Sequence, residues 1–392
     1  MRAILLVFPL IAVISLSAAA DAPSTADKAD VLKIDPLMLV SLKECRNIMA
    51  QLDSEIFPGW DFHGTPVLFY RPKVQDVLIG FPRAPRGFSR YTGISPLGAE
   101  PIYVRNGPTL FAIDGQNTST DFEGIPILVV ADSFSQMRNQ FLGILDRPRG
   151  FAAEWLNNWN FIPSPHATIK LILHEAFHVY QDKTAPDKHA DEADIARYPL
   201  LDPVNNALYA LEGDILRDAL LLRDSRARLE KIKEFIAVRT ARQARLDKRL
   251  VAYENLVEYS EGLAKYVEYK YYKTGESVKP VAEMYYLAGF NGYKGILEEK
   301  FKSSVERMVK IVSVSVDSFG NKFGTGPARY RLYDLGACQA LLLDEISPGW
   351  KGKIFGDGVY LTDLLKASLA LPGGELRRYL EQAKTKYNYA KA

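Results

Sequence analysis

The sequence predicts an α+β protein, with an N-terminal mixed α/β domain over residues 21–150 and a mostly α-helical domain over residues 151–392. Three observations predict it. Short runs of β-branched and aromatic residues, punctuated by proline and glycine, are concentrated in the part before residue 150 and fade beyond it, which is strand and turn chemistry. Beyond that point apolar residues recur at spacings of three and four, the period of a helix face. The span from Ser225 to Tyr272 holds no proline and meets its first glycine at Gly262, so no breaker interrupts the helical pattern.

Taken in order, Met1-Arg2, the apolar run of residues 3–16 and Ala18-Ala19-Ala20 before Asp21 read as a secretory signal peptide over residues 1–20. The expectation is an exported protein, periplasmic or extracellular. The apolar run is shorter than the roughly 20 residues that span a bilayer, and no cysteine at the cleavage point offers a lipid anchor. No later segment is long and apolar enough to cross, so no membrane span is expected after cleavage. About 370 residues remain, more than one core usually organises, which favours two domains.

Asp35-Pro36 reads as an N-cap with proline at the first helical position, followed by Leu39, Leu42, Cys45, Ile48, Met49 and Leu52 at helical spacing. Strand-type runs follow at residues 67–70, 77–81, 102–104, 110–113 and 127–131. Residues 132–145 return to helical period, with Phe134, Met137, Phe141 and Leu145 on one face. Residues 165–181 form a helix that is apolar on nearly every side around Ile169, Leu171, Ile172 and Leu173, which implies burial in a larger core.

Residues 203–222 and 225–272 then pair as a long helical hairpin, about 203–272, standing out from the body. Leu229, Ile232, Ile236, Arg239, Gln243, Leu246, Leu250, Tyr253 and Val257 make a heptad seam along its second arm, with Arg239 and Gln243 as polar interruptions.

Lys and Arg number 49 against 47 Asp and Glu, a net charge of +2. With no basic stripe, nucleic acid is excluded as a partner. Cys45 and Cys338 lie far apart in sequence and have no metal-site spacing. An oxidising compartment would permit them to pair, but sequence does not fix the distance between their Cα atoms.

The chemistry is concentrated in His174-Glu175-Ala176-Phe177-His178, an H-E-x-x-H pattern on a helix. Histidines four apart project from one face and can share one ion. Glu175, one position along, stands beside that ion as a base for a water the metal has acidified. Two imidazoles and a carboxylate on an apolar helix would each be costly without a shared partner. A catalytic zinc keeps three protein ligands, so a third is sought downstream.

Two carboxylates compete for that place. Glu212 lies on the apolar stripe of Leu208, Ile215, Ala219 and Leu222, beside Gly213. Glu261 lies in Glu258-Tyr259-Ser260-Glu261-Gly262-Leu263-Ala264-Lys265-Tyr266, where Glu254, Glu258 and Glu268 share its helical stripe. At 1.5 Å per residue from a turn near Ser225, Glu212 stands about 20 Å and Glu261 about 54 Å along their helices. Both cannot serve one ion unless the long helix breaks.

The segment around Glu261 resembles the third-ligand segment of the gluzincin metallopeptidases, which include thermolysin and the alanyl and glycyl aminopeptidase families. The resemblance implies Glu261 as third ligand, one Zn²⁺ per chain, and a thermolysin-like catalytic domain with the hairpin inserted between the ligands. Tyr333-Asp334-Leu335-Gly336-Ala337 is similar to the Tyr-Glu-Lys-Gly-Ala segment of those aminopeptidases. It implies that the Tyr333 hydroxyl steadies the oxyanion, with Tyr330 as its substitute. The Gly-x-Met-Glu-Asn segment that holds a substrate amine in the alanyl branch does not precede His174, which leaves exo- against endopeptidase action open.

The function expected is hydrolysis of a peptide or protein substrate. Two alternatives are a zinc protein that only binds its partner, and a metallo-amidase acting on non-peptide or cell-wall amides. His166, eight residues before His174, reads as a surface or capping residue. Phe57-Pro58-Gly59-Trp60-Asp61 reads as a turn with a packed tryptophan, and Asn117-Thr118-Ser119 fits a glycosylation acceptor. Substrate and oligomeric state are not fixed by the sequence.

Overall fold

Asp35 and Pro36 open the first helix as predicted. Asp35 Oδ1 accepts from Leu37 N at 2.9 Å and α1 runs Pro36–Leu52. A computed structural model describes residues 31–111, 113, 116–133, 135, 136, 164–313 and 326–389. The signal peptide, the domain boundary near residue 150 and most of the helix expected over 132–145 lie outside these residues.

The sheet comprises β1 (Val67–Arg71), β2 (Gln75–Ile79), β3 (Ser89–Arg90), β4 (Ile102–Asn106), β5 (Thr118–Phe122) and β6 (Ile125–Ala131). Its order is β3-β4-β2-β1-β6-β5, with β1 and β6 parallel and the other pairs antiparallel. Alternation sorts its side chains. Val67, Phe69, Val77, Ile79, Leu128 and Val130 face the main core, while Leu68, Tyr70, Leu78, Ile127 and Val129 face a second, smaller one.

Four of the expected runs are strands and one is not. Leu110 and Phe111 lie outside any strand; the Leu110 amide is turned onto Asp76 Oδ2 at 3.1 Å, and Phe111 packs on the smaller core. Two strands lie outside the expected runs: the two-residue β3, and β5. The latter is a largely polar edge strand, half-buried except for exposed Asp121, and carries no apolar alternation. It pairs with β6 through a two-residue turn in which Glu123 (φ 51°) and Gly124 (φ 80°) both take the left-handed conformation that such turns demand.

The motif helix α2 (Pro165–Thr184) packs between this sheet and the helices that follow. Ile169, Ile172, Leu173, Ala176 and Phe177 are fully buried, as an all-round apolar helix requires. Helices α3 (Pro203–Leu221) and α4 (Ser225–Gln243) start on Asp202 and Asp224, whose carboxylates cap the first turns.

The single helix expected over 225–272 is broken. It stops at Gln243 and restarts as α5 (Lys248–Val257) on Asp247, which caps Arg249 N at 2.8 Å. A π-helical turn over Glu258–Gly262 then leads into α6 (Leu263–Thr274). The heptad seam did not register the break, because Ile236, Leu250, Tyr253 and Val257 stay buried on both sides of it. Nor does the hairpin stand clear of the body. Phe235, Val238, Arg239 and Arg242 are all buried, covered by α3 and by the C-terminal helices.

The chain continues through α7 (Ile296–Ser313), α8 (Gly326–Ile346), α9 (Leu361–Leu369) and α10 (Gly373–Lys386). One apolar cluster runs from α1 and the sheet through α2 into α8. Both cysteines are free and buried within it. Cys45 Sγ donates to Ile169 O at 3.6 Å and Cys338 Sγ lies 3.3 Å from Met308 Sδ.

Candidate metal centre

Four residues make slightly more than one turn of α2, so His174 and His178 stand one above the other, ring centroids 5.0 Å apart and nearly perpendicular at 81°. Glu261 reaches them from the π-helical turn. Its Oε2 lies 3.5 Å from His174 Nε2 and 3.6 Å from His178 Nε2. One ligating atom from each of the three falls within 4.8 Å of the others.

The turn's extra residue is what separates the glutamates of the stripe. Glu258 at its start accepts from Arg239 Nη1 at 2.7 Å and Gln339 Nε2 at 2.8 Å, whereas Glu261 near its end faces the histidines. Two glycines bring α8 against this turn. A Cβ on Gly262 would sit 2.7 Å from Gly336 Cα, and one on Gly336 would sit 2.7 Å from Glu258 O, so backbone packs directly on backbone.

Both imidazoles are held by their far nitrogens. His178 Nδ1 lies 2.9 Å from Gln181 Oε1, and Gln181 Nε2 donates to Tyr259 O at 2.8 Å. The amide oxygen therefore faces the ring, which puts the proton on Nδ1 and the lone pair on Nε2. His174 Nδ1 lies 2.8 Å from Glu268 Oε1, and Glu268 Oε2 is flanked by Lys265 Nζ at 2.8 Å and Lys170 Nζ at 3.3 Å. The His178 contact is a hydrogen bond and the His174 contact is a close ion-pair approach outside hydrogen-bond geometry; on each ring Nε2 is left facing the common point, as metal-binding histidines require.

The charges agree with that geometry. Burial by itself would depress the His174 imidazole, but Glu261 and Glu268 outweigh it and hold it up at about 9. Burial would raise the Glu261 carboxyl, but His174 and His178 hold it well below the usual carboxylate range. The carboxylates thus make a centre that favours positive charge, either a proton on His174 or a metal ion that displaces it. Two imidazole nitrogens and a carboxylate oxygen, with His174 buried and His178 and Glu261 half-buried at the cleft, fit a zinc ion.

The three residues open into a cleft of ≈ 470 Å³, within the range of small-ligand sites. Glu175 and Tyr333 both line it, as do Thr118 and Ser119 of the edge strand β5. Tyr330 is exposed, its ring 5.5 Å from Tyr333, and is not on the cleft wall. Lys188 is on the wall, but its ammonium donates to Ile354 O, Gly356 O and Val359 O at 2.5–3.0 Å, so it pins the loop after α8.

The chain matches no family model, no curated protein and no solved structure.

The rival carboxylates are engaged elsewhere. Glu212, fully buried, accepts from Arg239 Nε at 2.9 Å and Arg242 Nε at 2.7 Å. Glu254 accepts from Arg242 Nη1 at 2.6 Å and from the hydroxyls of Tyr198 and Tyr209. The break before α5 brings Glu212 and the π-turn together, but around two arginines rather than around the histidines. Arg239, read as an interruption of the seam, bridges Glu212 and Glu258 in that network.

His166 is buried, not a surface or capping residue: only 2% exposed, it packs on the rings of Phe290 and Tyr293 with Nδ1 3.2 Å from Tyr271 Oη. Trp60 packs on Phe62 and Phe177 behind α2, away from the cleft wall. Sequence reasoning did not single out Gln181, Arg329 or His189, all of which line the cleft. Gln181 carried a usable signal, three residues beyond His178 on the same helix face.

Proposed function

We propose that this chain is an exported zinc metallopeptidase of the gluzincin kind, with one zinc per chain held by His174, His178 and Glu261. The observation that carries this reading is the convergence of His174 Nε2, His178 Nε2 and Glu261 Oε2 in one cleft, with a polar side chain standing at each far imidazole nitrogen. When bound in such a donor set, zinc supplies a Lewis acid that acidifies water and polarises a carbonyl.

Glu175, on the wall of the same cleft, takes the proton of the attacking water and passes it to the leaving amine. Tyr333, also on that wall, donates a hydrogen bond to the oxyanion. Peptide is favoured over other amides by β5, whose residues Thr118 and Ser119 line the cleft and whose outer backbone has no strand neighbour among the described residues. An extended peptide adds to such an edge through main-chain hydrogen bonds. The sheet on one side of α2 and helices on the other support a thermolysin-like architecture, by analogy of fold alone.

In the Glu175→Gln protein, metal content stays at the wild-type level and cleavage of a broad peptide library falls to the level seen with a chelator. Retained cleavage would remove Glu175 from the proton transfer. Metal analysis separates the carboxylates: Glu261→Ala is purified without zinc, and Glu212→Ala keeps it wherever it folds. The opposite pattern would move the third ligand to Glu212.

A further inference from the structure

A carboxylate can give a metal ion one oxygen or two, and the choice decides how many positions are left for the reaction. The two oxygens of Glu261 are not equivalent here. Oε2 faces both histidines, while Oε1 accepts from Arg329 Nη2 at 3.1 Å.

Arg329 is itself fixed from three directions. Its Nε lies 3.1 and 3.2 Å from the two oxygens of Glu192, and its Nη2 lies 3.0 Å from Glu192 Oε1. Its guanidinium carbon stands 5.2 Å from the centroid of the Tyr333 ring. Glu192 in turn accepts from the hydroxyl of Tyr253, a buried residue of α5, at 3.2 Å. A fork of rigid, planar donors anchored in this way orients a carboxylate far better than a flexible ammonium would.

We propose that Arg329 is a positioning residue of the metal centre: it occupies Glu261 Oε1 and so presents Oε2 alone to the ion between His174 and His178. The inference rests on the metal-centre reading given above. It also assigns a task to the approach of α8, the helix that carries both Arg329 and Tyr333. The same segment that brings the oxyanion donor into the cleft restrains the third ligand.

The test uses cobalt(II) in the full chain, because its visible bands are intense at four-fold coordination and weaken when a fifth ligand joins, an expansion open to such sites. The wild-type cobalt protein should show the intense bands. Arg329→Met, which keeps an unbranched stem and removes the fork, should take up cobalt but lose band intensity as Glu261 turns its second oxygen inward. If that variant does not fold, Arg329→Ala carries the comparison with and without added guanidinium ion, which should restore the wild-type bands. Superimposable spectra for wild type and variant, or no response to guanidinium, would overturn the role of Arg329 and leave the metal centre standing. A wild-type protein that takes up neither cobalt nor zinc would remove the metal centre and this inference together.

Discussion

Glu268 does for His174 what Gln181 does for His178: each occupies the far nitrogen of a ring and turns the near one to the shared point. The carboxylate is the more demanding partner, because burial opposes its charge, and Lys170 and Lys265, with His174 beside them, hold its ionisation well below the ordinary range. Glu268→Gln keeps the shape and removes that charge. Zinc affinity, read by competition with a coloured chelator, should fall by about 10–100-fold, the usual effect of losing such a partner. Unchanged affinity would reduce Glu268 to a counter-ion for the two lysines. His174, Glu175 and His178 were legible in the sequence because one turn of one helix sets their relation. Glu254, Glu258, Glu261 and Glu268 look alike on their stripe, and only their partners tell them apart, nearly all of them from other elements: Arg242, Arg239, the histidine pair, and Lys170 with Lys265.

Among the elements, the π-helical turn and α8 form the joint on which the third ligand depends. Gly336→Ala places a methyl group 2.7 Å from Glu258 O, against backbone that has no rotamer to yield. The expected result is a loss of about 1–3 kcal/mol, typical of overpacking, together with weaker zinc binding as α8 is pushed off the turn. Gly374→Ala, whose added carbon meets nothing within 4 Å, is the control and should change neither. Thermal unfolding and metal titration of the two variants check this, and a Gly336→Ala protein indistinguishable from the control would refute the joint. Helices α1 to α3 and the central strands could be read in advance from period and caps, whereas α7 to α10 are expected only as part of a mostly helical domain. The break at Asp247 could not, since an apolar seam continues through it. Strand β5 could not either, since an edge strand facing a polar cleft has no reason to alternate.

For the molecule as a whole, acid stability should decline in two stages. Burial holds His166 down at about 4 against its ordinary 6.5, so the unfolded chain binds its proton first and stability falls as pH drops from about 6.5 towards 4. Burial would raise Glu254, but Arg242 outweighs it and holds it at about 2; its contribution is complete above about 4.5 and is lost as pH falls towards 2. Urea midpoints measured against pH should show both stages, and His166→Phe, which keeps the ring among Phe290 and Tyr293, should abolish the upper one alone. An unaltered upper stage would exclude His166 as its source. The distance along the chain between the motif helix and the π-turn has one more consequence. Two imidazoles come ready-paired on a single helix, but the carboxylate arrives only after α3 and α4 have folded back and Gln181 has met Tyr259, 78 positions away. On the proposed metal centre, tight capture of an ion would thus be a late step of maturation, and a refolding chain should acquire full metal affinity only when its tertiary structure closes.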